Sequence, residues 1–293
     1  GSTLTADTIY YYEDTQLGDA RGQALMLNTS DSLSVFGDQL LYFSGKDSLL
    51  SYGDAKFKKW SSKDTSLQID SDSLSLEDGF FFAWSDVELR NGEARGTCGQ
   101  AVYMQDDEVA VMRDNPILRE DDFILTGDLF NLHMENGGLS SVYVPENPHF
   151  TQEKRMGDTS YTDWLDGKVM AVEFENDQPR TVTLIEMATS FFNVIEEDEF
   201  KGSNNVSGDT LVILLSDSSI SDIRVTGGAQ GKFKPAEGSA DIDSPINYQA
   251  EIIEYSMANE TSLLRHNSQI KYGNMSMSAG QVGVYWRKNL LRA

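Results

Sequence analysis

Cysteine is nearly absent from this 293-residue chain: Cys98 stands alone, which excludes an internal disulfide framework and any zinc cluster built on several thiolates. A lone thiol suits a reducing compartment without forbidding an oxidising one. Basic residues are scarce, 23 Lys and Arg against 47 Asp and Glu, for a formal net charge of -24. Such a field repels phosphate backbones and anionic bilayers, so no nucleic-acid partner is expected and charge-driven membrane docking is disfavoured. The acidity is spread along the chain and reads as solvated surface. No apolar run approaches the roughly 20 residues of a membrane-spanning helix; the longest, such as Leu211 to Leu215, are strand-sized. Helical spacing is equally rare, with one short stretch, Glu196 to Phe200, that suggests a turn.

Familiar catalytic signatures are missing as well. The chain has no Gly-x-Ser-x-Gly elbow, P-loop, Gly-x-Gly-x-x-Gly or His-Glu-x-x-His. The three histidines, His133, His149 and His266, lie far apart in sequence and read as turn or surface residues. Paired carboxylates such as Asp106-Asp107-Glu108 and Glu120-Asp121-Asp122 are the pattern a glycosidase needs, yet in so acidic a chain they carry little information. No loop has the calcium spacing of an EF-hand. Cys98 reads as an inert thiol. No metal, cofactor or catalytic residue is expected.

What the chain has in quantity is turn formers and short apolar alternations. With 39% hydrophobic and 10% aromatic residues it can bury one long domain or two ordinary ones. A small residue followed by an acidic or polar one recurs at Ala6-Asp7, Gly37-Asp38, Ser71-Asp72, Gly127-Asp128 and Gly208-Asp209. Weaker copies stand at Gly99-Gln100, Asp166-Gly167, Ala250-Glu251 and Gly280-Gln281, giving spacings of about 28 to 42 residues. Each marker opens an alternating run, and a polar turn leads to a second apolar run carrying Gly, Asn or Asp, as in Leu50-Ser-Tyr-Gly-Asp-Ala-Lys-Phe57. One repeat is therefore an out-and-back pair of strands with a period of two.

Stacked repeats bury what one pair of strands cannot, so the expected fold is an all-β solenoid of about nine repeats. Residues 1–230 form its main body, 231–246 a Pro/Gly-containing loop or boundary, and 247–293 continue the repeats. Gly1-Ser2 reads as a cloning remnant before a strand already under way, and Trp286 to Ala293 stops where a return strand should begin, so the natural chain is expected to extend beyond both ends. Counting from the markers selects one face: Leu40, Tyr42, Leu74, Leu76, Tyr103, Phe130, Leu132, Val169, Leu211, Ile213, Ile253, Tyr255, Val282 and Val284. Two sheets built this way either close on a dry core or splay into an apolar trough, which would suit an acyl chain.

These repeats resemble a known family. Gly37-Asp38-Gln-Leu-Leu-Tyr-Phe43 with Leu50 to Phe57, and Ile270-Lys-Tyr-Gly-Asn-Met-Ser-Met-Ser-Ala-Gly-Gln-Val-Gly-Val-Tyr-Trp286, are similar to the OstA-like repeat of the lipopolysaccharide-transport proteins. The resemblance implies a β-jellyroll or β-taco of the LptA and LptC type, most like the periplasmic N-terminal portion of an LptD-type outer-membrane assembly protein. It implies a non-enzymatic, periplasmic role, with lipopolysaccharide acyl chains shielded in a groove lined by the 14 residues above. It further implies head-to-tail pairing of edge strands with other Lpt-type jellyrolls and an outer-membrane barrel in the full-length protein. On that reading, a charged replacement of Leu132 or Ile213 weakens lipid capture while the fold survives. Two other classes fit the repeat: a parallel β-helix enzyme acting on acidic polysaccharide, and an adhesin-like structural solenoid.

Overall fold

The computed structural model describes residues 1–61, 64–120, 122–175, 178–196, 199–216, 219–238, 242–285 and 290–293. Among the described residues the chain is all-β, with 23 strands and no helix. The pairings run antiparallel, as out-and-back repeats require. A parallel β-helix is thereby excluded, because its strands need parallel ladders. Two compact units divide the chain: residues 1–121 with 126–144, and residues 122–125 with 145–293.

Three markers stand where the sequence reading put them, just before a strand: Ala6-Asp7 before Thr8–Tyr12, Gly127-Asp128 before Leu129–Glu135 and Asp166-Gly167 before Val169–Glu175. The other six are corners in the middle of strands longer than the sequence reading assumed. Leu17–Asn28 and Leu33–Phe43 pair from Leu17↔Phe43 to Arg21↔Gln39, shift register, and resume from Ala24↔Gly37 to Asn28↔Leu33. The same shift recurs at Tyr52/Ala55, Asp70/Ser73 and Trp84/Val87 in the first unit. In the second unit it recurs at Ile185/Ala188, Ser207/Thr210, Thr226/Ala229 and Arg265/Ser268. Each register shift is a β-bulge that bends the strand, so a strand contributes one segment to a first layer and one to a second.

Two kinds of corner alternate. One is the marker; the other is a pair of consecutive residues with left-handed φ, such as Gly22-Gln23 (77° and 44°), Gly53-Asp54 (72° and 46°), Ser85-Asp86 (62° and 50°) and Gly227-Gly228 (78° and 64°). The two kinds face each other across the ladder. The Asp7 amide donates to the Gly22 carbonyl, and the Lys168 amide to Glu186, both at 3.0 Å. This pairing explains the marker's composition. A Cβ at Gly37 would overlap the Ser51 hydroxyl oxygen and crowd the Tyr52 carbonyl, and one at Gly208 would overlap Val225, so the first marker residue must be small. The acidic residue lies against the opposing left-handed glycine: Asp38 against Gly53, Asp209 against Gly227. Gly, Asn and Asp dominate the left-handed pairs because they tolerate positive φ best.

Two further details differ from the sequence reading. Gly231 to Pro235 are paired residues of the strand Ser219–Pro235, so the loop begins after Pro235; residues 239–241 of it lie outside the described residues. Leu290–Arg292 pairs back onto Gly283 to Tyr285, supplying the return segment not expected there. The turn suggested at Glu196 to Phe200 falls on residues 197 and 198, outside the described residues.

Candidate functional site

The inward faces of the two layers meet to form the interior of each unit. In the first unit Phe57 of the second layer packs on Phe81 of the first, ring centroids 4.0 Å apart, and on Tyr103 at 6.0 Å. In the second unit Phe150, Leu165 and Phe192 face Val182, Ile213 and Leu215 across a cavity of only about 10 Å³, the room of a single water. The layers are joined covalently at the corners, which holds them closest there.

In each unit the structure places its share of the 14 sequence-selected residues along that unit's first layer. Leu40, Leu74, Tyr103, Phe130, Leu132, Leu211, Ile213, Ile253 and Val282 are buried, none above 4% exposure. Tyr42, Leu76, Tyr255 and Val284, one step further from their corners, are half-buried. Val169 is half-buried as well, and the fully buried residues of its segment are Met170 and Val172. The offset has a local cause: the residue that donates across the corner is Lys168, not Gly167, so the count starts one residue later. Ile9 and Tyr11, which stand at the same count from the first marker, Asp7, are exposed on the edge strand Thr8–Tyr12. Burial changes the expectation for Leu132 and Ile213: a charge at either would be forced into a packed interior, where an unpaired charge is costly to the fold itself.

The second wall was missed. It is built by Val35, Ile69, Leu125, Leu165 and Val206, each three residues before its corner residue (Asp38, Asp72, Asp128, Lys168, Asp209), with Leu33, Leu67 and Phe123 two residues earlier still. Inward positions are thus odd before the corner and even after it. The extra residue of each bulge lies on the opposing left-handed strand, where parity is kept, as in Ala20, Ala24 and Met26; the marker strand turns the corner without it and its parity inverts, so a count carried through the marker without a break lands on solvent. The signal was present as a second period-two run upstream of each marker.

Several buried polar groups are held by identified partners. Lys59 reaches inward to donate to the Tyr103 hydroxyl at 3.1 Å and lies 5.5 Å from its ring centroid. Asp163 is buried against Lys154, 2.6 Å away, and accepts from the Asn193 amide at 2.8 Å. Asp19 is held by Arg21 at 2.6 Å and Gln39 at 2.8 Å, and the Arg21 hydrogen bond holds its carboxyl below the ordinary carboxylate value despite burial. Burial pushes the Cys98 thiol up to about 11, and it donates to the Gln100 carbonyl. Tyr248, whose ring lies over Gly231, donates to Asn204 at 2.7 Å, and burial raises its hydroxyl pKa. Of the histidines, His149 lies 2.6 Å from Asp166, while His133 and His266 are exposed. Among the described residues no group of three or more His, Cys, Asp or Glu is arranged to hold a metal ion.

No family model and no curated protein matches the sequence. Among solved structures, part of the chain is similar to the crystal structure of LptH, the LptA homologous periplasmic component of the conserved lipopolysaccharide transport device from Pseudomonas aeruginosa. The match has 12% identity and a TM-score of 0.36, and covers 39% of this chain and 82% of that one.

Proposed function

We propose that the chain binds lipopolysaccharide in the periplasm and conveys it toward the outer membrane without catalysis, as an Lpt-type jellyroll. The observation that carries the reading is the interior of each unit. The same inward positions recur from repeat to repeat, so an apolar strip runs across the strands, and the two layers bounding it are covalently joined only at the corners. A pair of layers hinged on one side can part to admit acyl chains, with each methylene that leaves water contributing about 0.8 kcal/mol. Tyr42, Leu76, Tyr255 and Val284, half-exposed and far from the corners, are where a chain would enter. The OstA-like repeat of the sequence supports the same assignment. So does the edge strand Thr8–Tyr12, which pairs with Leu17–Asn28 and exposes Ile9, Tyr10, Tyr11 and Tyr12, a template for strand addition by another jellyroll.

The tight packing around the 10 Å³ cavity favours a second reading, a structural solenoid whose interior never opens. Photocrosslinking separates the two. A benzophenone side chain at Leu76 or Tyr255, with outward controls at Ser75 and Glu254, is expected to label lipopolysaccharide from the inward positions only. Absence of label from both inward positions in a folded sample would move the assignment to the structural solenoid.

A further inference from the structure

On the outward face of the second layer of the unit formed by residues 122–125 and 145–293 lies a polar cleft of about 380 Å³. Cross-strand register puts Trp164, Phe191, Asn205, Lys232, Asn247 and Lys271 in one row. At about 4.8 Å per strand the row is about 24 Å long. The neighbouring row, two residues along each strand, carries Gln230, Gln249 and Gln269.

Charge sets this face apart from an otherwise acidic composition. A molecule with 47 carboxylates places none at outward positions 203–207, 230–234, 247–249 or 269–271. Among the described residues of the same unit, Lys154, Lys168, Arg180, Lys201, Arg224 and Arg265 each hold a carboxylate. Among the described residues no ion pair holds Lys232 or Lys271, which stand two strands apart, about 10 Å, with Asn247 between them.

The chemistry of the row selects a ligand. Side-chain amides donate and accept at once, as adjacent sugar hydroxyls do. Lysines present compact charges suited to a carboxylate or phosphate. At the end of the row the Trp164 and Phe191 rings, stacked 5.8 Å apart at 7°, offer a half-exposed apolar platform for the C–H face of a pyranose. The cavity volume lies within the range of small-ligand sites. A long polyanion is disfavoured by the net charge of -24, whereas a short acidic sugar meets only the local field. We propose that this cleft binds an acidic oligosaccharide, its hydroxyls on the amide rows and its anionic group on Lys232 and Lys271.

The test is calorimetric titration of the whole chain with three acyl-free probes: hexagalacturonate, the delipidated phosphate-bearing sugar of lipopolysaccharide, and neutral maltohexaose. Binding of an acidic probe about tenfold or more tighter than maltohexaose is expected, and K232Q/K271Q should weaken it by about tenfold per lysine while circular dichroism is unchanged. Binding of the delipidated sugar alone assigns the anion to a glycolipid headgroup; binding of hexagalacturonate, alone or with it, assigns a carboxylate-bearing glycan. No binding of either acidic probe, equal affinity for maltohexaose, or an unchanged affinity in K232Q/K271Q overturns the proposal. Since no probe carries an acyl chain, the result is independent of whether the apolar interior takes lipid.

Discussion

Asp19 shows how single residues are tuned in this acidic chain. Its carboxyl is buried, yet the Arg21 hydrogen bond keeps it ionised below the ordinary value. A carboxylate whose folded pKa is depressed stabilises fully above its unfolded value of about 3.9 and loses that contribution as pH falls through the lower folded value. Arg21→Gln should therefore lower the urea midpoint at pH 7 and flatten its further fall as the pH drops below the ordinary carboxylate value of about 3.9; an unchanged pH profile would show that the pair does not matter. At Cys98 a thiol raised to about 11 is protonated at pH 8, so it should resist a disulfide exchange reagent in the native protein and react at once in urea. The inertness of Cys98 was legible in the sequence; the setting of Asp19 was not, because Asp19 and Gln39 are partners only across a ladder. The residues next to the markers were legible, for instance Leu40, Leu74 and Leu211, since period two survives between corners. Val169 was not, since its corner is displaced by one residue.

Corners are the unit of construction at the level of the element. Both halves of each are visible in the sequence as a small-acidic dipeptide and a Gly- or Asx-rich one, but their meaning as bends within one strand depends on the opposing strand. Gly53→Ala places a methyl against Asp38 at a φ of 72°, whereas Gly79→Ala, at a φ of 78°, meets open space. Both variants pay the left-handed conformation, about 1–2 kcal/mol, and only the first adds a clash, so Gly53→Ala should be the more destabilising by at least about 1 kcal/mol in urea unfolding of the same unit. Equal losses would mean that the Asp38 contact yields freely. The same logic accounts for the missed second wall: its alternation is as regular as the first, but the parity inverts at the marker because the extra residue sits on the opposing strand, and nothing within one strand announces the inversion.

For the whole molecule, the exposed edge strand bears directly on the proposed partners. If Thr8–Tyr12 serves for strand addition, Ile9→Lys with Tyr11→Lys should abolish concentration-dependent association of this chain with an Lpt-type jellyroll in sedimentation velocity and leave its thermal unfolding unchanged. Association that persists would place the contact elsewhere. The sequence by itself determined that the chain is all-β, that it repeats, and which residues alternate inward between corners, because these follow from local periodicity and turn chemistry. Only the tertiary structure decided that most markers are mid-strand bends, that two layers close on each other to bury Leu132 and Ile213, and that Asn205, Lys232, Asn247 and Lys271 fall in one row. Those facts rest on cross-strand register, which pairs residues tens of positions apart and is set by the packing of neighbouring strands.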